Sequence, residues 1–298
     1  MTNHALASIG GTEQWTLTVA KELSLQHDVD VFTFIKGEMA DRISEYADIV
    51  SNVEDDYDIA LCNHNTCSMV VYPLTDCFKV FTSHGPSHKL EYPPNGFDTY
   101  VAVSEEVRSI IAMRGINAAV IRNPIDVDLY PEDDGYAHLR VLVMCRNYEA
   151  SKIAKEAAQK AGYVVNVGHV TACPIDPVEE IPDHDIIITS GRGVYEALTC
   201  NKAPYIFDKR SGSLHCDGWV TQERIEELRQ FNCSGRSESY RLQNVKQFTR
   251  DLQAYDGKAA FTWGRDYVRE HHGVQNVVAH YLQLAERKAD AKYAEVAA

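Results

Sequence analysis

Apolar and polar positions along this chain follow two periods in turn. The stretch 12–26, TEQWTLTVAKELSLQ, places Trp15, Leu17, Val19, Ala20, Leu23 and Leu25 toward one helical face, which predicts a helix. Short runs rich in β-branched and aromatic residues at 28–34, 57–64, 78–84 and 99–104 predict strands. SEEVRSIIAMRG, 104–115, predicts another helix, with Ser104 as N-cap, acids in the first turn and Gly115 past its end. A strand over 118–123 follows. Strands that repeatedly feed helices predict a parallel sheet covered on both faces.

The pattern breaks at 123–139, NPIDVDLYPEDDGYAHL, where prolines and acids predict a linker. A second alternation then begins, with strands predicted over 140–145, 163–168, 185–190 and 203–208 and a helix over 150–162. From about 221 onward the chain reads as helical. The expected organisation is a first Rossmann-like domain over 1–125, a linker over 126–138, a second Rossmann-like domain over 139–262 and helices over 263–298. Only MTNHALA precedes the glycine loop SIGGTEQ, so the first strand is expected to be barely formed.

Composition narrows the function classes. The 298 residues are 45% hydrophobic and 24% charged, which predicts a packed globular core. The net charge of −14, from 29 basic and 43 acidic residues, disfavours non-specific nucleic-acid and anionic-lipid binding. No apolar run approaches the roughly 18 residues of a membrane span, and the N-terminus lacks a secretory pattern. A soluble cytoplasmic protein is expected. The eight scattered cysteines contain no CxxC pair and predict reduced core thiols. CNHNTC, with Cys62, His64 and Cys67 and a distant Cys77, lacks the tidy pairing of zinc sites.

Open α/β sheets bind ligands beyond the carboxyl ends of their strands, and four segments put unusual residues there. Gly10 and Gly11 open the first helix, where exposed N–H groups suit a phosphate or a tight turn. His84 leaves a strand in TSHGPSHK; it is a hydrogen-bond donor to a sugar or phosphate, an acid or base, or a histidine satisfied by backbone. Arg146 and Lys152 follow the first strand of the second half, as diphosphate partners or as solvated cations. In SGRGVYEALTCNKAPYIFD, 190–208, Gly191 and Gly193 allow close approach of a ligand. Arg192 and Val194 lie among the N–H groups of a helix start, and Glu196 either caps the helix or accepts ribose hydroxyls.

In this order, the segments resemble a GT-B glycosyltransferase of the retaining family 4 type, in a shortened version, over most of the chain. GGTEQWTLTVAKELSLQHDVDVFTF is similar to that family's glycine loop, helix and second strand. VAVSEEVRSIIAMRGINAAVIRNPIDVDLY is similar to the end of its first domain. VVNVGHV followed by DHDIIITSGRGVYEALTCNKAPYIFD resembles its nucleotide-side block, and the helices from about Trp263 resemble the segment that crosses back to the first domain.

The resemblance implies two Rossmann-like domains facing across a cleft, a nucleotide-sugar donor held mainly by the second and an acceptor by the first. It implies that Glu196 holds the donor ribose and that Arg146 and Lys152 neutralise the departing diphosphate. Gly10 and Gly11 would lie near that diphosphate, and His84 near the transferred sugar. Gly168, Gly191, Arg192, Gly193 and Val194 complete the implied donor site, with no cofactor and no metal. The acceptor is left open among a glycan, a small molecule and a modified DNA base.

The chain departs from the family pattern in three places. Ile188 stands where a second acid is usual, eight positions before Glu196; the usual EGFG segment is absent; and the Arg146–Lys152 spacing is one residue longer. A catalytically weak nucleotide-sugar binding protein, a sugar-nucleotide epimerase and a phage-type DNA-base glycosyltransferase are the competing readings.

Overall fold

The computed structural model describes the chain apart from Asp55 and residues 133–139, 169–174, 211–212, 238–244, 256–260 and 297–298. Residues 133–138 of the expected linker, and Cys173, lie outside the described residues. The chain divides into two compact units, Met1–Pro124 with Gly273–Ala298, and Ile125–His272.

Unit 1 holds a parallel sheet of strands β1 (Thr2–Leu6), β2 (Asp30–Lys36), β3 (Asp48–Val50), β4 (Ile59–Asn63), β5 (Phe78–Ser83), β6 (Thr99–Ala102) and β7 (Ala119–Val120). Their order is β3-β2-β1-β4-β5-β6-β7, so the sequence of strands reverses between β1 and β4. Helices α1 (Gly11–Leu23), α2 (Glu38–Ile43), α3 (Ser68–Val71) and α4 (Glu105–Ala112) join them. α4 starts as its residues predict: the Ser104 side chain accepts the Val107 N–H at 3.3 Å. β1, expected to be barely formed, is a full five-residue strand paired with both β2 and β4.

Unit 2 holds β8 (Arg140–Val143), β9 (Val164–Val167), β10 (Ile186–Thr189), β11 (Ala203–Arg210) and β12 (Ser213–Trp219), with helices α5 (Tyr148–Ala161), α6 (Pro177–Glu180), α7 (Arg192–Thr199), α8 (Ile225–Leu228), α9 (Val245–Gln253) and α10 (Thr262–His272). The strand order is β12-β11-β10-β8-β9, and it reverses between β8 and β10. β12, which the sequence reading placed in no element, runs antiparallel to β11 and closes that edge. α5 is capped by Asn147, whose side chain accepts the N–H groups of Glu149 and Ala150 at 2.9 and 3.2 Å.

The last helix, α11 (Val274–Val296), belongs to unit 1, so the division falls at Gly273 and leaves α10 with unit 2. Buried Val274, Val277, Val278 and Tyr281 of α11 join Trp15, Val80, Val101 and Ile121 in one core cluster. The Tyr281 hydroxyl lies 3.1 Å from Thr82 Oγ1 on β5. At the other end of the expected linker, Ile125, Val127 and Tyr130 are buried in the core of unit 2. Arg265 of α10 donates to the carbonyls of Val127, Tyr130 and Thr199 at 2.8–3.0 Å and so fixes that segment. Among the described residues no helix is long and apolar enough to cross a membrane.

Candidate active site

A parallel sheet leaves its ligand crevice at the carboxyl ends of the strands where their order reverses. Each unit has one such point, and the residues singled out above lie in or soon after the loops that follow β1, β5, β8, β9 and β10.

In unit 1 the Gly10–Gly11 turn follows β1. Gly10 caps α1 with extended backbone, and its carbonyl accepts the Gln14 N–H at 2.8 Å. A Cβ on Gly10 would overlap the Glu13 carboxylate, whereas one on Gly11 would meet nothing within 4 Å. Glu13 therefore folds its own charge over the helix start, which the macrodipole favours. The open approach is at Gly11.

His84 sits where β5 ends. Its Nε2 lies 2.9 Å from Asn63 Oδ1, and its backbone N–H donates to Glu91 Oε2 at 2.6 Å. The Trp15 ring stands edge-on at 5.4 Å. Burial, then the neighbouring His64, push the imidazole down to about 3 against an opposing hydrogen bond with Asn123. A ring this firmly neutral is ill matched to proton transfer near neutral pH. Of the roles left open for His84, hydrogen bonding is the one this environment favours.

Three residues here escaped the sequence reading of a sugar site. His64, one residue past β4, has φ 69°, a conformation that non-glycine residues seldom adopt outside constrained sites. Its Nδ1 accepts the His4 N–H at 3.2 Å, its Nε2 lies 3.6 Å from Glu91 Oε1, and burial lowers its pKa to about 4. Glu91 is buried and also accepts the Ser83 hydroxyl through its carbonyl. Asn63 is the third. The signal for Asn63 and His64 was present in ALCNHN, where polar residues follow an apolar strand, as His84 follows its own. Cys62 and Cys67 are buried thiols pushed up to about 12 and about 11 by desolvation. Among the described residues no group of three or more His, Cys, Asp or Glu is placed to hold a metal ion.

In unit 2 the Met144 N–H donates to the Ile188 carbonyl at 2.8 Å, so the loop after β8 lies beside the loop after β10. Arg146 leaves the first of these and Lys152 projects from α5; both are exposed. Lys209 of β11 adds a third cation to this end of the sheet, ion-paired with Glu149 in the first turn of α5. Next to it the buried Asp208 accepts the Ser190 hydroxyl at 3.3 Å.

Gly191 has φ 66° and ψ −130°, a backbone that side chains strongly disfavour, and its N–H donates to the Cys233 carbonyl at 2.8 Å. A Cβ on Gly193 would overlap the Thr189 hydroxyl, and one on Gly168 would overlap Ile175. Gly193 thus serves close packing of α7 against β10, and Gly168 close packing of the loop after β9 against Ile175. Val194 is buried, and its N–H already donates to the Gly191 carbonyl at 3.1 Å. Of the expected row of free helix-start donors, Gly191 and Val194 are already committed.

Glu196 is 3% exposed. Its Oε1 accepts the Arg192 Nε–H at 2.7 Å within α7, and it hydrogen-bonds Tyr130, whose hydroxyl burial pushes well above its ordinary range. A carboxylate has about four acceptor positions. Two remain, enough for a pair of vicinal hydroxyls. Ile188, at the usual place of a second acid, is buried in β10 between Val143 and Tyr205.

No protein-family profile and no curated protein matches this sequence. Two solved structures resemble it along nearly their whole length. HepE of Anabaena, crystallised in complex with UDP and glucose, is 12% identical with a TM-score of 0.65, over 96% of this chain and 98% of that one. A glycosyltransferase of Rickettsia africae is 14% identical with a TM-score of 0.62, over 96% of this chain and 97% of that one. The fold that this chain shares with them is the GT-B fold of glycosyltransferases.

Proposed function

We propose that the protein is a glycosyltransferase that moves a sugar from a nucleoside-diphosphate sugar, preferentially a UDP-sugar, to an acceptor hydroxyl, with retention and without a metal. The observation that carries this reading is the grouping at the reversal point of unit 2. There Arg146 stands exposed in the loop after β8 and Lys152 on α5, while Glu196, a buried carboxylate with two acceptor positions left, lies one turn into α7 after the neighbouring strand β10. Support comes from the shared fold with HepE, which binds UDP and glucose.

In this reading Glu196 accepts the ribose hydroxyls, and Gly191 lets the backbone pass close to the nucleotide. Arg146 and Lys152 meet the negative charge that grows on the diphosphate as its bond to the sugar C1 breaks. The acceptor oxygen forms the new bond to C1, and its proton leaves with the departing phosphate. His84, neutral, hydrogen-bonds a sugar hydroxyl in unit 1 and takes no part in the proton transfer.

The absence of an acid at Ile188 and the pairing of Glu196 with Arg192 favour a second reading, a nucleotide-sugar binding protein with little turnover. Calorimetric titration with UDP and other nucleotides, run beside a donor-hydrolysis assay, separates the two. UDP binding with turnover supports the transferase, and UDP binding without turnover supports the second reading. Absence of any nucleotide binding overturns both.

A further inference from the structure

We propose that Asn63 is a positioning residue for His84, the final link of a buried hydrogen-bond chain that starts on β1 and passes through α1. The proposal rests on the transferase reading for its effect on turnover, although its structural core does not depend on it.

The chain runs Asn3, Thr16, Asn63, His84, and the first three side chains are fully buried. Asn3 Nδ2 donates to Thr16 Oγ1 at 2.9 Å and Asn63 Nδ2 donates to the same oxygen at 3.4 Å. The Thr16 hydroxyl spends its own hydrogen on the Thr12 carbonyl at 2.9 Å. Its oxygen is therefore an acceptor only, and both amides must turn their NH2 groups toward it. This fixes the Asn63 carbonyl oxygen toward His84, 2.9 Å from Nε2. An amide oxygen accepts, so Nε2 carries the ring hydrogen and Nδ1 keeps its lone pair. One helix, the one entered through Gly10 and Gly11, thus selects the tautomer of the histidine that ends β5.

The charged and titratable groups around the ring belong to the other loops. Glu91 holds the His84 backbone N–H, with His64 behind it on the other carboxylate oxygen. His4 and His88 face His64 in turn. Trp15 of α1 covers one side of the ring, and Tyr281 of α11 lies beyond Trp15 at 5.7 Å. Asn123 also hydrogen-bonds the imidazole. None of these puts an anion on a ring nitrogen, and Asn63 supplies orientation without charge.

Imidazole nitrogen spectra of the full-length protein test this. Wild-type His84 should show the Nε2–H tautomer and no titration between about pH 5 and 8. Asn63→Asp places a carboxylate on Nε2–H, so His84 should begin to titrate in that range and the pH profile of donor turnover should gain an acid limb. Thr16→Val, nearly isosteric, releases the Asn63 amide and should give a mixed-tautomer signal whether or not Asn63→Ala folds. Asn63→Ala should lower kcat at least about tenfold while the donor KM and UDP affinity change less than about twofold. A wild-type Nδ1–H tautomer, ordinary His84 titration, or unchanged kcat in Asn63→Ala overturns the proposal. A wild type that turns over no donor overturns the transferase reading, while the tautomer spectra still decide the role of Asn63.

Discussion

Glu196 is tolerated at 3% exposure because Arg192 and Tyr130 satisfy it, and the pair is correspondingly sensitive. Glu196→Ala leaves the Arg192 guanidinium, 12% exposed, without its carboxylate. Breaking such a pair costs about 3–5 kcal/mol, so thermal unfolding of this variant should shift well below wild type. Glu196→Gln keeps the volume and one acceptor, and should weaken UDP binding about tenfold, or about 1.4 kcal/mol, in a calorimetric titration. His64 and His84 give a pH test. Their folded pKa values are depressed to about 4 and about 3, so between those values and 6.5 the unfolded chain binds protons that the folded chain refuses. Their contribution is fully present above pH 6.5 and is lost as pH falls, by up to about 1.4 kcal/mol per pH unit for each. Denaturation measured across pH 4.5–7 should show this slope, and His64→Gln should flatten it; an unchanged slope would show that His64 does not titrate in this way. The sequence singles out His84 because it directly follows a strand, and Glu196 because it stands near the start of the helix after one. Their partners were not legible, because Asn63, Glu91 and Tyr130 reach them only once β4 lies beside β5 and residues 125–130 pack into unit 2.

At the scale of elements, α7 shows how a sequence pattern is read correctly in place and incompletely in purpose. Its three preceding isoleucines are buried in β10, and the helix begins at Arg192 as Gly-Arg-Gly suggests. The two glycines, read alike, do different things. Gly191→Ala forces a side chain into a strained backbone at a cost of about 1–3 kcal/mol. Gly193→Ala pushes a methyl into Thr189 and costs about as much through overpacking. Both should unfold earlier than wild type on heating, and pairing Gly193→Ala with Thr189→Ala, which removes the overlapping hydroxyl, should recover part of the loss for Gly193 alone. Recovery for Gly191→Ala by the same partner would contradict the distinction. β1 was underestimated because Asn3 and His4 interrupt its apolar pattern, and those are the residues that serve the polar chain and the loop after β4. β12 went unread because SLHCDGW carries an aspartate and a glycine; Asp217 accepts the Ser237 hydroxyl at 2.9 Å and Gly218 has φ 72°.

At the scale of the molecule, each unit is a doubly wound sheet with one reversal point, and the candidate residues follow the carboxyl ends of its strands. That much was legible, because strand–helix alternation and polar residues after apolar strands are local signals. The burial of 125–130 in unit 2 and the assignment of α10 to that unit were not, since they follow from long-range contacts such as those of Arg265. A net charge of −14 makes the exposed Arg146 and Lys152 local exceptions on an acidic chain. A phosphate-bearing donor held by them should bind less tightly as salt rises. The central claim is transfer from a nucleotide sugar, and a mass-spectrometric screen of nucleotide sugars incubated with the protein in EDTA tests it most directly. The account predicts consumption of a UDP-sugar with release of UDP, strongly reduced in Arg146→Ala. No consumption of any donor by a folded, UDP-binding protein would contradict it.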